Sequence, residues 1–171
     1  MPQEEILDLV NENDEAIGTM ERNEVYAKNL HNFRVVNAFI INDEGKLWIP
    51  RRGPHKRIAP NALDMSMGGH VESGETYDQS AARETEEELN IDVQKNPLEF
   101  VAKLTPHEHG VNAFQQVYLI HSNETPKYNP DDFTESFWLT PQELLTWTDK
   151  GEPCKSDLPM LARYLMAHEK I

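Results

Sequence analysis

The chain has 171 residues, 38% of them hydrophobic and 27% charged, with a formal net charge of −14 and a single cysteine, Cys154. That length suits one domain, spanning 1–171, and the composition is that of an ordinary globular protein rather than a disordered acidic tail. The acidity excludes general binding to nucleic-acid backbone or anionic lipid, no apolar run reaches the roughly 18 residues of a membrane span, and one cysteine excludes an internal disulfide framework.

The opening "MPQEEILDLV" lacks the basic and apolar regions of a signal peptide, so a cytoplasmic protein is expected. "EEILDLV" and "AIGTMER" read as two strands around the polar turn "NEND", giving an N-terminal hairpin and lead-in over 1–30. "NEVYAKNLHNF" is either a short helix or an extended lead-in. "RVVNAFIIN" and "LWIPRR", joined by "DEGK", predict a hairpin of β-branched and apolar strands. "GPHKRIAPN" reads as loop, and "ALDMSMGG" as a short strand running into a glycine turn. From Thr76 to Leu89 the pattern is helical. Thr76 and Gln79 form a capping box, Ala82, Thr85 and Leu89 share a packing face with Ala81 beside it, and Asn90 suits a left-handed cap. "LEFVAKL", "AFQQVYLI" and "SFWLT" follow as strands. "TPQELLTW" is a helix capped by Thr140 and Glu143 with Pro141 at its first position, and a last amphipathic helix is expected over 156–170. Runs of strands with helices inserted between them predict an α+β fold built on a mixed sheet.

Within "RETEEELN", residues 83–90, four glutamates occupy five consecutive positions. Like charges three and four apart on a helix repel by roughly 0.2–0.5 kcal/mol per pair. At about 100° per residue, Glu84, Glu87 and Glu88 fall in one arc while Glu86 points elsewhere. A hard divalent cation such as Mg²⁺ takes oxygen ligands of this kind, keeps several waters and turns the repulsion into attraction. Arg83 lies one turn before Glu87 and two turns after Glu75, where it can brace both. Upstream, "MGGHVESGET" offers glycines for close backbone approach. "RRGPHKR" is a dense basic stretch that, taken by itself, reads as a solvated loop.

The stretch "GHVESGETYDQSAARETEEELNI", residues 69–91, resembles the Nudix box, G-x5-E-x7-R-E-U-x-E-E-x-G-U with U aliphatic. Gly69, Glu75, Arg83, Glu84, Glu87, Glu88 and Ile91 match; Thr85 stands at an aliphatic position and Asn90 at the second glycine. "HNFRVVNAFIINDEGKLWIPRR", "PNALDMSMGGHVESGE" and "ESFWLTPQEL" extend a resemblance to the branch of that superfamily holding isopentenyl-diphosphate isomerase. The resemblance implies the Nudix fold, a mixed β-sheet sandwiched between helices. It also implies Mg²⁺, with Mn²⁺ as the alternative ion, held by Glu84, Glu87, Glu88 and the Gly68 carbonyl. Glu87 or Glu88 would accept a proton from the attacking water, with Arg83 in the catalytic set and Gly69 and Glu75 structural. Arg51, Arg52 and Lys56 then become phosphate contacts for a small-molecule diphosphate, although strand alternation lets only one of the two arginines face the site.

Three functions compete. The isomerase needs a cysteine where this chain has Gly68, and a non-catalytic ligand sensor would have lost the acids that are kept here. A Mg²⁺-dependent hydrolase of a nucleoside diphosphate derivative or another organic diphosphate fits best. Asp132 and Glu135 are the candidates for a base outside the box. His107 and His109 lack a second ligand cluster for zinc, and His31 and His70 have no derivable role. Phe114, Tyr118, Trp138 and Trp147 read as core. Nothing decides between monomer and homodimer.

Overall fold

In the computed structural model, which describes residues 4–168, two sheets carry the chain. The hairpin of β1 (Ile6–Val10) and β2 (Ala16–Glu21) is antiparallel, and α1 (Arg22–Ala27) resolves the ambiguous segment as a short helix. The main sheet contains β3 (Arg34–Ile41), β4 (Leu47–Arg52), β5 (Met67–His70), β6 (Glu99–Leu104), β7 (Phe114–His121) and β8 (Phe133–Leu139). Its path runs β6-β7-β3-β4-β8, with β5 paired to β3 off that path. Strands β3 and β7 are parallel over Arg34–Ile41; the other pairs are antiparallel, so the sheet is mixed as expected.

One feature of this topology makes the site. Strand β4 pairs with β3 only at Ile41 and Leu47, beyond the turn that Gly45 makes with φ +75°. It then leaves with β8, and β5 takes up the edge of β3 from Val35 to Ala38. The sheet therefore opens between β4 and β5.

Alternation along β3 supplies both faces. Val36, Ala38 and Ile40 pack with Ala81 and Leu89 of α2 (Tyr77–Leu89). Phe39 and Ile41 face Leu144 of α4 (Pro141–Asp149) and Leu158, Leu161 and Leu165 of α5 (Leu158–Ala167). Each fully buried Val, Leu, Ile or Phe among them contributes about 1.5–3 kcal/mol, and this double burial makes the β3 sequence almost continuously apolar. A third cluster, Leu7, Val25, Phe33 and Ala113, fixes the N-terminal hairpin and α1 to the domain. Asp14 adds a polar clasp, taking Arg34 Nε at 2.7 Å and Tyr77 Oη at 2.8 Å.

Several expectations change. Gly68 and Gly69 lie inside β5 rather than in a turn; the turning glycine is Gly74, at φ +89°. Ala82 is only half-buried, and Ser80 completes the packing face of α2 with Ala81, Thr85 and Leu89. The last helix begins at Leu158, two residues after the expected start, and 169–170 lie outside the described residues. "TPHEHG" gains a helical turn, α3 (Pro106–His109), capped by Thr105. Among the described residues no helix is long and apolar enough to cross a membrane.

Candidate active site

The opening in the sheet leads into a cavity of about 1050 Å³. Its acidic wall is the C-terminal half of α2. That helix is held at both ends: Thr76 Oγ1 accepts from the Gln79 backbone at 3.1 Å and Gln79 Oε1 from the Thr76 backbone at 2.9 Å, while Asn90 ends it at φ 54°, ψ 35°. Glu84, Glu87 and Glu88 line the cavity and Glu86 does not, as the helical angles predict.

The three carboxylates are not equivalent. Glu84 is 8% exposed and sits against β5, where a Cβ added to Gly69 would stand 2.3 Å from its Cδ. Only glycine lets that carboxyl lie flat on the strand. Glu84 and Glu88 lie within proton-sharing reach of each other. Burial raises the pKa of each carboxyl; Arg83 partly offsets the rise for Glu84, while Glu84, Asp64 and Asp132 add to it for Glu88. The side chain of Glu87, by contrast, is 60% exposed at the rim and lies 3.4 Å from Arg83 Nη1. The expected ligand trio is thus an inner pair with an outlying third member. Among the described residues no three acids, histidines or cysteines converge into a ready-made metal cage. The inner donor set nevertheless fits a hard divalent cation. Its oxygens are desolvated and crowded by like charge, and a cation relieves both conditions.

Arg83 is the brace. Its Nε and Nη2 reach Glu75 Oε2 and Oε1 at 2.9 and 2.8 Å, and Nη1 holds Glu84 at 2.8 Å. Glu75 also accepts from the Glu72 backbone at 2.9 Å, and its pKa is lowered chiefly by the Arg83 hydrogen bond. The loop before α2 and the acid on α2 are therefore joined through one guanidinium, a bidentate arrangement that fixes direction as well as charge. Thr85, at the aliphatic box position, is fully buried and its Oγ1 has no hydrogen-bond partner among the described residues.

The cationic wall departs from expectation in one respect. Arg51 turns away from the cavity. It pairs with Glu135 and Glu152, each at 2.6 Å, and lies over Phe137. The alternation of β4 sends its neighbour Arg52 inward instead, where Asp64 at 2.8 Å and the Ile58 carbonyl at 2.9 Å hold it. Lys56 borders the cavity beside Asp132 at 2.6 Å. Of the two outside acids, Asp132 lines the cavity and Glu135, spent on Arg51, does not.

Several cavity residues were not singled out in the sequence. Arg22 and Tyr26 come from α1, and Asn37 from β3. Lys155 comes from the connection before α5, docked by its backbone N–H on the Leu63 carbonyl at 2.9 Å. The Lys155 ammonium is 3.9 Å from Asp64, its nearest ion-pair partner among the described residues. Cys154 borders the same space, its thiol pKa raised by burial. No local spacing links these positions, and only the folded topology gathers them.

His70 Nε2 meets Tyr26 Oη at 2.7 Å and its ring stacks on Phe33; burial, with Arg22 and Lys155 nearby, pushes its pKa down to about 3. His31 Nδ1 lies 2.8 Å from the Asn112 carbonyl. His109 accepts from the Thr105 backbone at 2.9 Å and His107 lies against Phe114, so neither joins a zinc site. Phe114 and Tyr118 are buried, and Trp138 and Trp147 pack at the core's edges.

Comparisons with known proteins agree with this fold. A family model described as the NUDIX domain matches residues 31–158. The chain is 54% identical over 164 residues to an uncharacterised Nudix hydrolase of Nostoc sp., covering 96% of this chain and 97% of that one. It is 44% identical over 167 residues to a Nudix hydrolase of Deinococcus radiodurans, covering 98% and 97%. The crystal structure of DR0079 from Deinococcus radiodurans matches with a TM-score of 0.89 at 44% identity, over 94% of this chain and 98% of that one. A MutT protein from Methanosarcina mazei, at 18% identity and a TM-score of 0.64 over 81% of this chain and 95% of that one, shares the fold alone.

Proposed function

The chain belongs to the NUDIX domain family and is a hydrolase of phosphorus anhydride bonds, and from that premise we propose that it cleaves, with Mg²⁺, the diphosphate linkage of a nucleoside diphosphate derivative or another organic diphosphate. The observation that carries this reading is the Glu84–Glu88 pair, one carboxyl buried and the other half-buried, facing a cavity whose other walls present Arg52, Lys56 and Lys155. Glu84 and Glu88 would hold the ion, with Glu87 at the rim and the Gly68 carbonyl as further donors. Bound there, Mg²⁺ or Mn²⁺ supplies charge neutralisation on the phosphoryl oxygens and a water of lowered pKa.

The chain's own residues do the rest. Arg52 and Lys56 sit on the phosphate side, each already oriented by a carboxylate, Asp64 or Asp132. Glu87 or Glu88, both bordering the cavity, would take the proton of the attacking water. Arg83 holds Glu84 in place and keeps Glu75 and the preceding loop fixed as substrate arrives. Arg51 has no part in this account.

A second reading rests on one observation. Cys154 borders the cavity, so an isopentenyl-diphosphate isomerase-like reaction would have a thiol at hand although Gly68 replaces the expected cysteine. Incubating the protein with Mg²⁺ and a panel of organic diphosphates separates the two. Phosphate-bearing fragments are expected, and they should form equally fast in Cys154→Ala. An isomerised diphosphate with no cleavage would favour the second reading. Ligand binding without either product would point to a sensor.

A further inference from the structure

The cavity wall opposite α2 contains a polar relay that the acids and cations leave unexplained. Asn37 on β3 is 4% exposed and borders the cavity, and Gln115 on β7 is fully buried behind it. Gln115 Nε2 is held by two acceptors, the Ala113 carbonyl and Asp157 Oδ2, each at 3.3 Å. A carbonyl and a carboxylate only accept, so the amide nitrogen of Gln115 must face them and its Oε1 must face Asn37. Asn37 meets that oxygen with Nδ2, at 2.8 Å. Its Oδ1 is left on the other side, toward β5. Reversing either amide would set oxygen against oxygen in a buried place, so the direction of both is fixed from Asp157 inward.

Where Oδ1 emerges is equally defined. It lies 3.0 Å from the point that a Cβ on Gly68 would occupy, and Lys155 Nζ lies 3.9 Å from the same point. Glycine at 68 leaves that point open. The Lys155 ammonium disfavours a cation there, and an amide oxygen cannot bind a phosphate oxygen. What suits both neighbours is a phosphate oxygen on Lys155 and, next to it, a neutral hydrogen-bond donor on Asn37.

Resting on the diphosphatase reading above, we infer that Asn37 is a specificity-determining residue whose Oδ1 accepts from an N–H or O–H on the organic part of the substrate close to the diphosphate. Gln115 and Asp157 are positioning residues that lock the Asn37 amide in the accepting direction. The donor is an amino group of a base or a hydroxyl of a sugar, and substrate pairs distinguish the sources. Ribonucleoside against 2′-deoxyribonucleoside diphosphates tests the hydroxyl. Adenosine against purine riboside and cytidine against pyrimidin-2-one riboside diphosphates, which lack both the amino group and the ring N–H beside it, test the amino group.

The experiment measures kcat/KM for these pairs with Mg²⁺. In at least one pair the parent should prefer the donor-bearing member by about tenfold or more, because the analogue leaves a buried acceptor unpaired. Asn37→Ala should collapse that preference, with the larger loss of kcat/KM falling on the donor-bearing member. Asp157→Ala, at the outer end of the relay, should narrow the preference through KM with kcat little changed, and it serves as the test if Asn37→Ala does not fold. Equal kcat/KM within every pair for the parent, or an undiminished preference in folded Asn37→Ala or in Asp157→Ala, would overturn the inference alone. A parent that cleaves none of these diphosphates overturns the hydrolase reading for nucleotides and this inference with it.

Discussion

The two walls of the cavity were built by different means. The acidic wall lies within 23 consecutive residues, 69–91, where a strand, a tight loop and a capped helix set Gly69, Glu75, Arg83, Glu84 and Glu88 at fixed spacing. The opposite wall draws Arg22 and Tyr26 from α1, Asn37 from β3, Arg52 and Lys56 from the end of β4 and its loop, and Lys155 from the entry to α5. Charge-bearing chemistry that needs sub-ångström placement is encoded locally, on one rigid helix. The opposite wall is assembled by topology from remote segments.

Breaking the local wall should cost activity rather than stability. Glu88→Gln is expected to lower kcat by about 10²- to 10⁴-fold, the usual worth of a positioned acid–base group. Its melting temperature should not fall, since the amide relieves repulsion from Glu84, Asp64 and Asp132. Paired kinetics and thermal unfolding check both halves.

Asp14→Asn should do the reverse, costing stability with the acids untouched. Asp14 clasps the N-terminal hairpin to Arg34, Lys103 and Tyr77, and its side chain is 5% exposed, so its removal should cost about 3 kcal/mol. Asparagine tolerates the φ of +61° here, so the backbone adds little. Burial alone would raise the Asp14 pKa, but hydrogen bonds from Lys103, Arg34 and Tyr77 outweigh it and hold the carboxyl below its ordinary 3.8. Its contribution is therefore complete above that value and lost as the pH falls through the lower folded pKa. In urea titrations the gap between parent and variant should be widest near neutrality and close in acid.

Gly69→Ala sharpens the comparison by displacing an acid without removing it. The added methyl meets Glu84 at a distance no pair of atoms tolerates, so a loss of about 1–3 kcal/mol is expected together with a fall in kcat. Thr85→Val has the smallest effect and the opposite sign. It deletes a buried hydroxyl without a partner, and a gain of about 1 kcal/mol with unchanged kcat is expected from chemical unfolding and kinetics.

These positions also mark how much the sequence disclosed. Thr76, Gln79 and Asn90 announce the ends of α2, and Arg83 stands where a helix brings it to Glu75 and Glu84, because caps and helical angles are local properties. Alternation sends Arg51 and Arg52 to opposite faces of β4, but which of them borders the cavity depends on the pairing of β4 with β8, a distant contact. The glycines that end "ALDMSMGG" suggest a turn because glycine carries no side-chain periodicity; pairing to β3 makes them strand. Glu87 was counted with its neighbours by angle, whereas its distance from the cavity floor follows from how α2 seats on the sheet. Lys155, Asn37 and Tyr26 had no neighbour in sequence that spoke for them.

The Glu84–Glu88 pair is the proposed cation site. Titrating Mg²⁺ into the protein by calorimetry, with Glu84→Gln/Glu88→Gln as the companion variant, tests that claim most directly. Saturable binding in the parent that is lost in the folded double variant is the predicted result; equal binding by both proteins would contradict it.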